Sequence, residues 1–178
     1  MENSKRTKLI VVAAALFVLV AVFFMFGGKL PSISLSSGIR KTDSTEMPAA
    51  TGGSERIERK AGIEQSFVCT TDTINQIGIV FYRIELIEGT NVVMELLDGN
   101  KTLIQNIYQA DSIESEHRTF LIANEPLSGL LNKKLTLKIY SSDNKDTGLG
   151  VMISENIGCS YKYNGSNRKG SICFAVDA

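Results

Sequence analysis

The chain contains no tryptophan, one histidine, three cysteines and three prolines in 178 residues. Each scarcity removes a class of function. Without Trp the strongest aromatic platform is missing, and only Tyr and Phe supply rings. One His and no Cys-x-x-Cys pair argue against a zinc site, so no metal or cofactor is expected. The lone His117 follows Asp111, Glu114 and Glu116, yet no Ser or Cys stands in a Gly-x-Ser-x-Gly elbow. A general base needs a nucleophile or a partner carboxyl in the right geometry, and His117 reads as a surface or strand-edge residue. Acids paired for glycoside cleavage can lie far apart in a sequence, but a small all-β domain rarely encloses a deep cleft. The expectation is a protein that is not an enzyme. Neither sign of charge dominates: 19 Lys and Arg face 19 Asp and Glu. The first eight residues hold Lys5, Arg6 and Lys8 against Glu2, which leaves the rest slightly acidic. That argues against the basic face a nucleic-acid binder needs and against a domain lying flat on an anionic membrane.

What the chain does have, near its front, is LIVVAAALFVLVAVFFMF, Leu9 to Phe26, with no polar side chain in eighteen residues. As a helix it reaches roughly 27 Å, close to the hydrocarbon thickness of a bilayer. The basic residues of 1–8 mark the cytoplasmic flank. Residues 9–28 are therefore expected to be a transmembrane signal anchor, with the C-terminal part outside the cytoplasm. The rival is a cleaved signal peptide. Its apolar core usually runs about 7–15 residues and ends in a small-x-small site, whereas this run ends Phe23-Phe24-Met25-Phe26-Gly27-Gly28. No lipobox-like Cys follows, and the Gly followed by Phe and Glu that opens a type IV pilin helix is missing.

Residues 29–60 read as a flexible linker. They are rich in Ser, Thr, Gly and Pro and poor in aromatics, and cannot bury enough apolar surface to offset their ordering entropy. A flexible chain of that length spans roughly 30 Å. From residue 61 to 178 the pattern is about nine short strands. Phe67 and Cys69 alternate with polar neighbours, as do Ile77, Ile79 and Phe81. Asp98-Gly99 between two apolar runs predicts a hairpin. Further strands fall at 117–122, 134–140, 148–154, 157–163 and 171–176, and Leu127 to Leu131 suits a single helical turn. Many short strands with regular turns predict an all-β antiparallel sandwich or barrel.

Several segments carry a resemblance. Gln65-Ser66-Phe67 with Ile74, Ile77, Ile79 and Phe81 looks like a first strand pair. Val93-Met94-Glu95-Leu96-Leu97-Asp98 looks like a middle strand, Lys134 to Ser142 like a later one. Tyr163-Asn164-Gly165 with Ser171 to Val176 looks like a closing hairpin. Together they resemble the jelly-roll β-sandwiches of the galactose-binding or carbohydrate-binding kind found in Gram-positive cell-envelope and extracellular proteins. The likeness spans nearly all of the outer domain and rests on structural motifs. It implies a jelly-roll-like fold and either sugar binding or a non-catalytic spacer role. Fold alone does not choose between them.

On an oxidising side of a membrane the cysteines are expected to pair. Cys159 and Cys173 flank the loop 164–169 nearly symmetrically and are the disulfide candidates. Closing a loop of about fifteen residues is worth roughly 3 kcal/mol on chain-entropy grounds. Cys69, on the face of Phe67, reads as a buried thiol. Its competing partner is Cys173, because first and last strands of jelly rolls often adjoin. Sugar binding needs exposed rings beside planar polar groups, and Tyr161, Tyr163 and Arg168 flank one hairpin, so they are the candidate ligand-binding cluster. Tyrosines that merely cover a strand surface are the alternative. The loop Ser141 to Gly148 offers two carboxylates for calcium, but Lys145 stands among them and a solvated turn is expected. Asn100-Lys-Thr and Asn164-Gly-Ser fit the glycan-acceptor pattern and would matter only in a eukaryotic secretory route. The expected partners are the membrane, a glycan and, as the alternative, a membrane protein of a polysaccharide-assembly complex that meets the Ala13-Ala14-Ala15 patch of the anchor.

Overall fold

The computed structural model describes residues 44–155 and 158–178. The expected anchor and the linker up to residue 43 lie outside the described residues. Among the described residues no helix is long and apolar enough to cross a membrane.

The described chain is almost entirely β, in two antiparallel six-stranded sheets. In chain order the strands are β1 (Gly52–Gly53), β2 (Ile63–Val68), β3 (Ile74–Arg83), β4 (Asn91–Asp98), β5 (Lys101–Gln109), β6 (Arg118–Leu127), β7 (Lys134–Ser141), β8 (Leu149–Ser154), β9 (Ser160–Tyr163), β10 (Ser166–Lys169), β11 (Ser171–Ile172) and β12 (Phe174–Asp177). The first sheet runs β10-β9-β2-β7-β4-β5. The second is built around β3, which pairs with β6, β12 and β8. Period-two patterning explains the inner faces: Ile63, Gln65 and Phe67 alternate with half-exposed residues on β2, as Leu135, Leu137 and Ile139 do on β7. These residues and Ile77, Ile79, Phe81 and Phe174 of the second sheet form one core. The Phe67 and Phe174 rings meet at 4.9 Å and 59°, a tilted pair worth about 0.5–1.5 kcal/mol beyond its burial.

The expected hairpin is present, one residue later than Asp98-Gly99: Asp98 pairs with Lys101 around a Gly99-Asn100 turn, and β4 and β5 pair from Asn91↔Gln109 with a register shift between Leu96 and Leu97. Leu127 closes β6 and is not helical. The short 3₁₀ turn lies instead at Ala110–Ser112, where the Arg83 guanidinium donates to the carbonyls of Ala110, Asp111 and Ile113.

The last stretch does not form the second arm of a hairpin with 157–163. That arm is β10, and the turn is Asn164-Gly165, both at positive φ (47° and 82°), the pairing an I′ turn requires. Residues 171–177 enter a fork where β8 splays from β3. Ser171 and Ile172 run against Ser154 and Ile153. At the point of the wedge Cys173 N–H donates to the Met152 carbonyl (2.8 Å), and its own carbonyl accepts from Val80 N–H (3.3 Å). Phe174 to Asp177 then follow Ile79 to Gln76 of β3. The inward Gln65 side chain accepts Ile172 N–H at 2.7 Å, tying the wedge to the opposite sheet.

The folded part begins earlier than composition indicated. Residues 44–57, within the stretch read as linker, lie along the second sheet as a strap. Ser44 accepts Val176 N–H. Thr51, Ser54 and Ile57 N–H groups donate to the Ile153, Val151 and Leu149 carbonyls, each at 2.8 Å. Tyr82 lies close over Gly53 and Gly150, where any Cβ would collide with its ring, and its hydroxyl donates to the Ser54 carbonyl. Glycine is what lets two backbones approach an aromatic face this closely.

Candidate functional site

Tyr161, Tyr163 and Arg168 do come together. β9 and β10 pair with Arg168 opposite Tyr161 and Ser166 opposite Tyr163, and the Arg168 guanidinium lies 5.8 Å from the Tyr163 ring centre. What they face is the strap. Arg168 Nε donates to Glu55 Oε1 at 2.8 Å, and the Tyr163 hydroxyl donates to the Arg56 carbonyl at 3.0 Å. Tyr161 is only 6% exposed and belongs to the core. Burial, aided by the nearby Glu55 charge, pushes its hydroxyl up to about 12. Burial works to raise Glu55 too, but the bond from Arg168 prevails and its carboxyl sits below the ordinary value. The cluster therefore engages a segment of its own chain and offers no open stacking platform.

The other sequence candidates are also internally engaged. In the loop after β7, Asp143 is met by Lys145 at 3.3 Å and by the Ser141 hydroxyl at 3.1 Å. Asp146 accepts from Arg56 at 2.7 Å, and Arg56 also meets Glu85 at 2.9 Å. Beside them lies an open depression of about 430 Å³ lined by Glu58, Arg59, Asn144 and Asp146. Asn144 Oδ1 accepts Lys60 N–H there at 2.8 Å. Among the described residues no three His, Cys, Asp or Glu side chains are gathered to hold a metal. His117 is exposed, its Nδ1 at 3.0 Å from the Ser115 carbonyl. Cys69 is buried as its pattern predicts, its thiol donating to the Thr71 carbonyl at 3.2 Å. The β9–β10 register ends at Ser160↔Lys169, and Gly170 N–H donates to the Cys159 carbonyl at 2.9 Å. Cys173 lies four residues beyond the end of β10, at the point of the wedge.

A feature the sequence reading passed over is the outer face of the first sheet. Register sets Lys162 beside Glu64, Glu64 beside Lys138, Lys138 beside Glu95 and Glu95 beside Gln105, one row across five strands. Lys138 Nζ lies 3.5 Å from Glu64 and 5.1 Å from the Tyr140 ring centre. The Tyr140 hydroxyl donates to Glu95 Oε1 at 3.0 Å, and Gln105 Nε2 donates to the same oxygen. Burial, then the Glu95 carboxylate, raises the Tyr140 hydroxyl above its ordinary pKa. Flanking rows hold Ser66 and Thr136, their hydroxyls 3.0 Å apart, and Tyr140, Val93 and Ile107. Donors, acceptors and one ring stand at the roughly 4.8 Å spacing of neighbouring strands. The signal was present as the polar half of each alternating strand, but it becomes a row only when the strand order is known.

No protein-family model matches the chain, and no curated protein matches it either. The fold defines the class, an antiparallel two-sheet β protein of sandwich type, and the family stays open.

Proposed function

We propose that the chain is a membrane-anchored, extracytoplasmic binding module with a jelly-roll-like sandwich. It is non-catalytic and takes envelope or extracellular glycan on the outer face of the first sheet. The observation that carries this is the in-register row Lys162, Glu64, Lys138, Glu95, Gln105 beside Tyr140. A sugar ring presents hydroxyls around an apolar face, and such a ligand is held by a few placed polar groups next to an aromatic surface. The alternating signs leave the row without net charge, which suits a neutral polar ligand. Tyr161, Tyr163 and Arg168 serve this reading as supports, because they hold the strap. Leu9 to Phe26 with its basic flank supports the anchored topology. On that oxidising side Cys159–Cys173 is the proposed bridge, read out by peptide mapping with and without reductant.

The test is the full chain in detergent micelles on a glycan panel. Binding that falls at least tenfold in Tyr140→Ala and in Glu95→Gln, but not in Tyr163→Phe, supports the module. Silence across the panel overturns it. A second reading, an interaction domain docking a membrane protein, draws on Ile107 and Ile122, which stay 61% and 50% exposed near one seam of the two sheets. It is favoured by a co-purifying membrane protein that Ile107→Ser and Ile122→Ser release.

A further inference from the structure

We infer that residues 44–55 form an exchangeable strap, which a second copy of this chain can supply to the edge of β8. The inference stands apart from the glycan reading. Past Ser44, the strap exposes Thr45, Glu46 and the stretch Ala49–Gly53 and buries no large apolar side chain before Ile57. Its hold is backbone hydrogen bonding to Ile153 and Val151, the Thr51 and Ser54 hydroxyls accepting from Glu155 and Val151 N–H (2.9 and 3.0 Å), the Tyr82 hydroxyl on the Ser54 carbonyl, buried Ser44 on Thr70 and Val176, and the Glu55–Arg168 pair. Segments with few buried apolar contacts open at low cost, and an exposed ion pair adds little and is screened by salt. Ile57, wholly buried, and Arg56, held by Glu85 and Asp146, fix the far end and leave the hinge at 55–56.

Release uncovers two things together. One is the β8 edge, whose Ile153 and Val151 carbonyls then lack donors, a template for an added strand. The other is Arg168 with the Tyr161 hydroxyl, a cation and a donor shaped around one carboxylate. The occupant that fits both is an extended segment carrying an acid at the position of Glu55. The strap of a second copy meets that description residue for residue, and reciprocal exchange closes a two-fold dimer. In one copy the tethered strap competes at an effective concentration near millimolar, so exchange appears at high protein concentration or after the strap has been loosened.

The experiment uses charge reversal in the full chain. Glu55→Arg repels its own Arg168, and Arg168→Glu repels its own Glu55, so each variant loosens its own clasp. Mixed, each strap matches the other body. Native mass spectrometry is expected to show mixed dimers well above the share random pairing gives, at least tenfold enriched over either variant alone. Both changes in one chain restore the wild-type monomer. A second arm needs no variant: concentrated wild-type protein taken through an acid step below the depressed pKa of Glu55 and returned to neutral pH traps added dimer. Mixed species at no more than the random share, together with an unchanged dimer fraction after the acid step, overturn the inference.

Discussion

The two long sides of the sandwich are closed in different ways. On one side the edge strands β5 and β6 meet, and side chains of one plug the backbone of the other. The Tyr108 hydroxyl donates to the Phe120 carbonyl, and Asn106 Oδ1 accepts Ile122 N–H at 2.6 Å. On the other side the strap lies against β8 and spans to β10 through Glu55 and Arg168. Both arrangements satisfy edge groups that would otherwise invite another chain. The first does so within strands already committed to the core through Ile104 and Leu121. The second relies on a polar segment with one apolar anchor. A seam that is part of the core cannot open without unfolding, whereas a strap can.

Four changes break or sharpen that contrast. Ile57→Ala removes the strap's anchor from a fully buried site and is expected to cost about 2–5 kcal/mol, read by chemical denaturation. A loss below about 1 kcal/mol would mean that Ile57 does not hold the strap. Next is alkaline pH. Tyr161 is protonated in the fold and its pKa is raised from 10 to about 12. Its contribution is therefore complete below pH 10 and lost as pH climbs through 12. Phenolate absorbance and the unfolding midpoint should move together in that range, and Tyr161→Phe should remove the effect. Third, Tyr108→Phe leaves the Phe120 carbonyl without its donor and should cost about 1 kcal/mol, with no dependence on salt. Smallest is Glu55→Gln. The pair is solvent-screened, so the loss stays below about 1 kcal/mol and vanishes at high ionic strength. The folded carboxyl lies below its ordinary value of 4.5, so in wild type this contribution is present above that value and disappears as pH falls through the depressed pKa.

The strands were legible because burial writes itself into alternation. Ile77, Ile79 and Phe81, or Leu135, Leu137 and Ile139, mark an inner face whatever their neighbours. The hairpin at Asp98-Gly99-Asn100 was legible because turn chemistry is local, although Asp98 itself ends β4 and the turn is Gly99-Asn100. The strap was not. Its order comes from backbone bonds to β8, about a hundred residues later in the chain, and its Ser, Thr and Gly content matches that of a free linker. The wedge at Cys173 was hidden for a similar reason: a continuous apolar run, Ile172 to Val176, gives no sign that its two halves bond to different strands. The convergence of Tyr161, Tyr163 and Arg168 could be read from the hairpin. That they meet Glu55 and Arg56, 113 and 107 positions away from Arg168 and Tyr163 respectively, could not.

Native-state hydrogen exchange, resolved residue by residue on the full chain, tests the contrast most directly. The Thr51 and Ser54 amides, bonded to β8, should exchange through local opening at a free energy well below global unfolding, while Ile122 N–H in the seam follows the core strands. Thr51 and Ser54 protected to the same level as Leu137 and Ile139 of β7 would contradict it, since the strap would then be as permanent as the core.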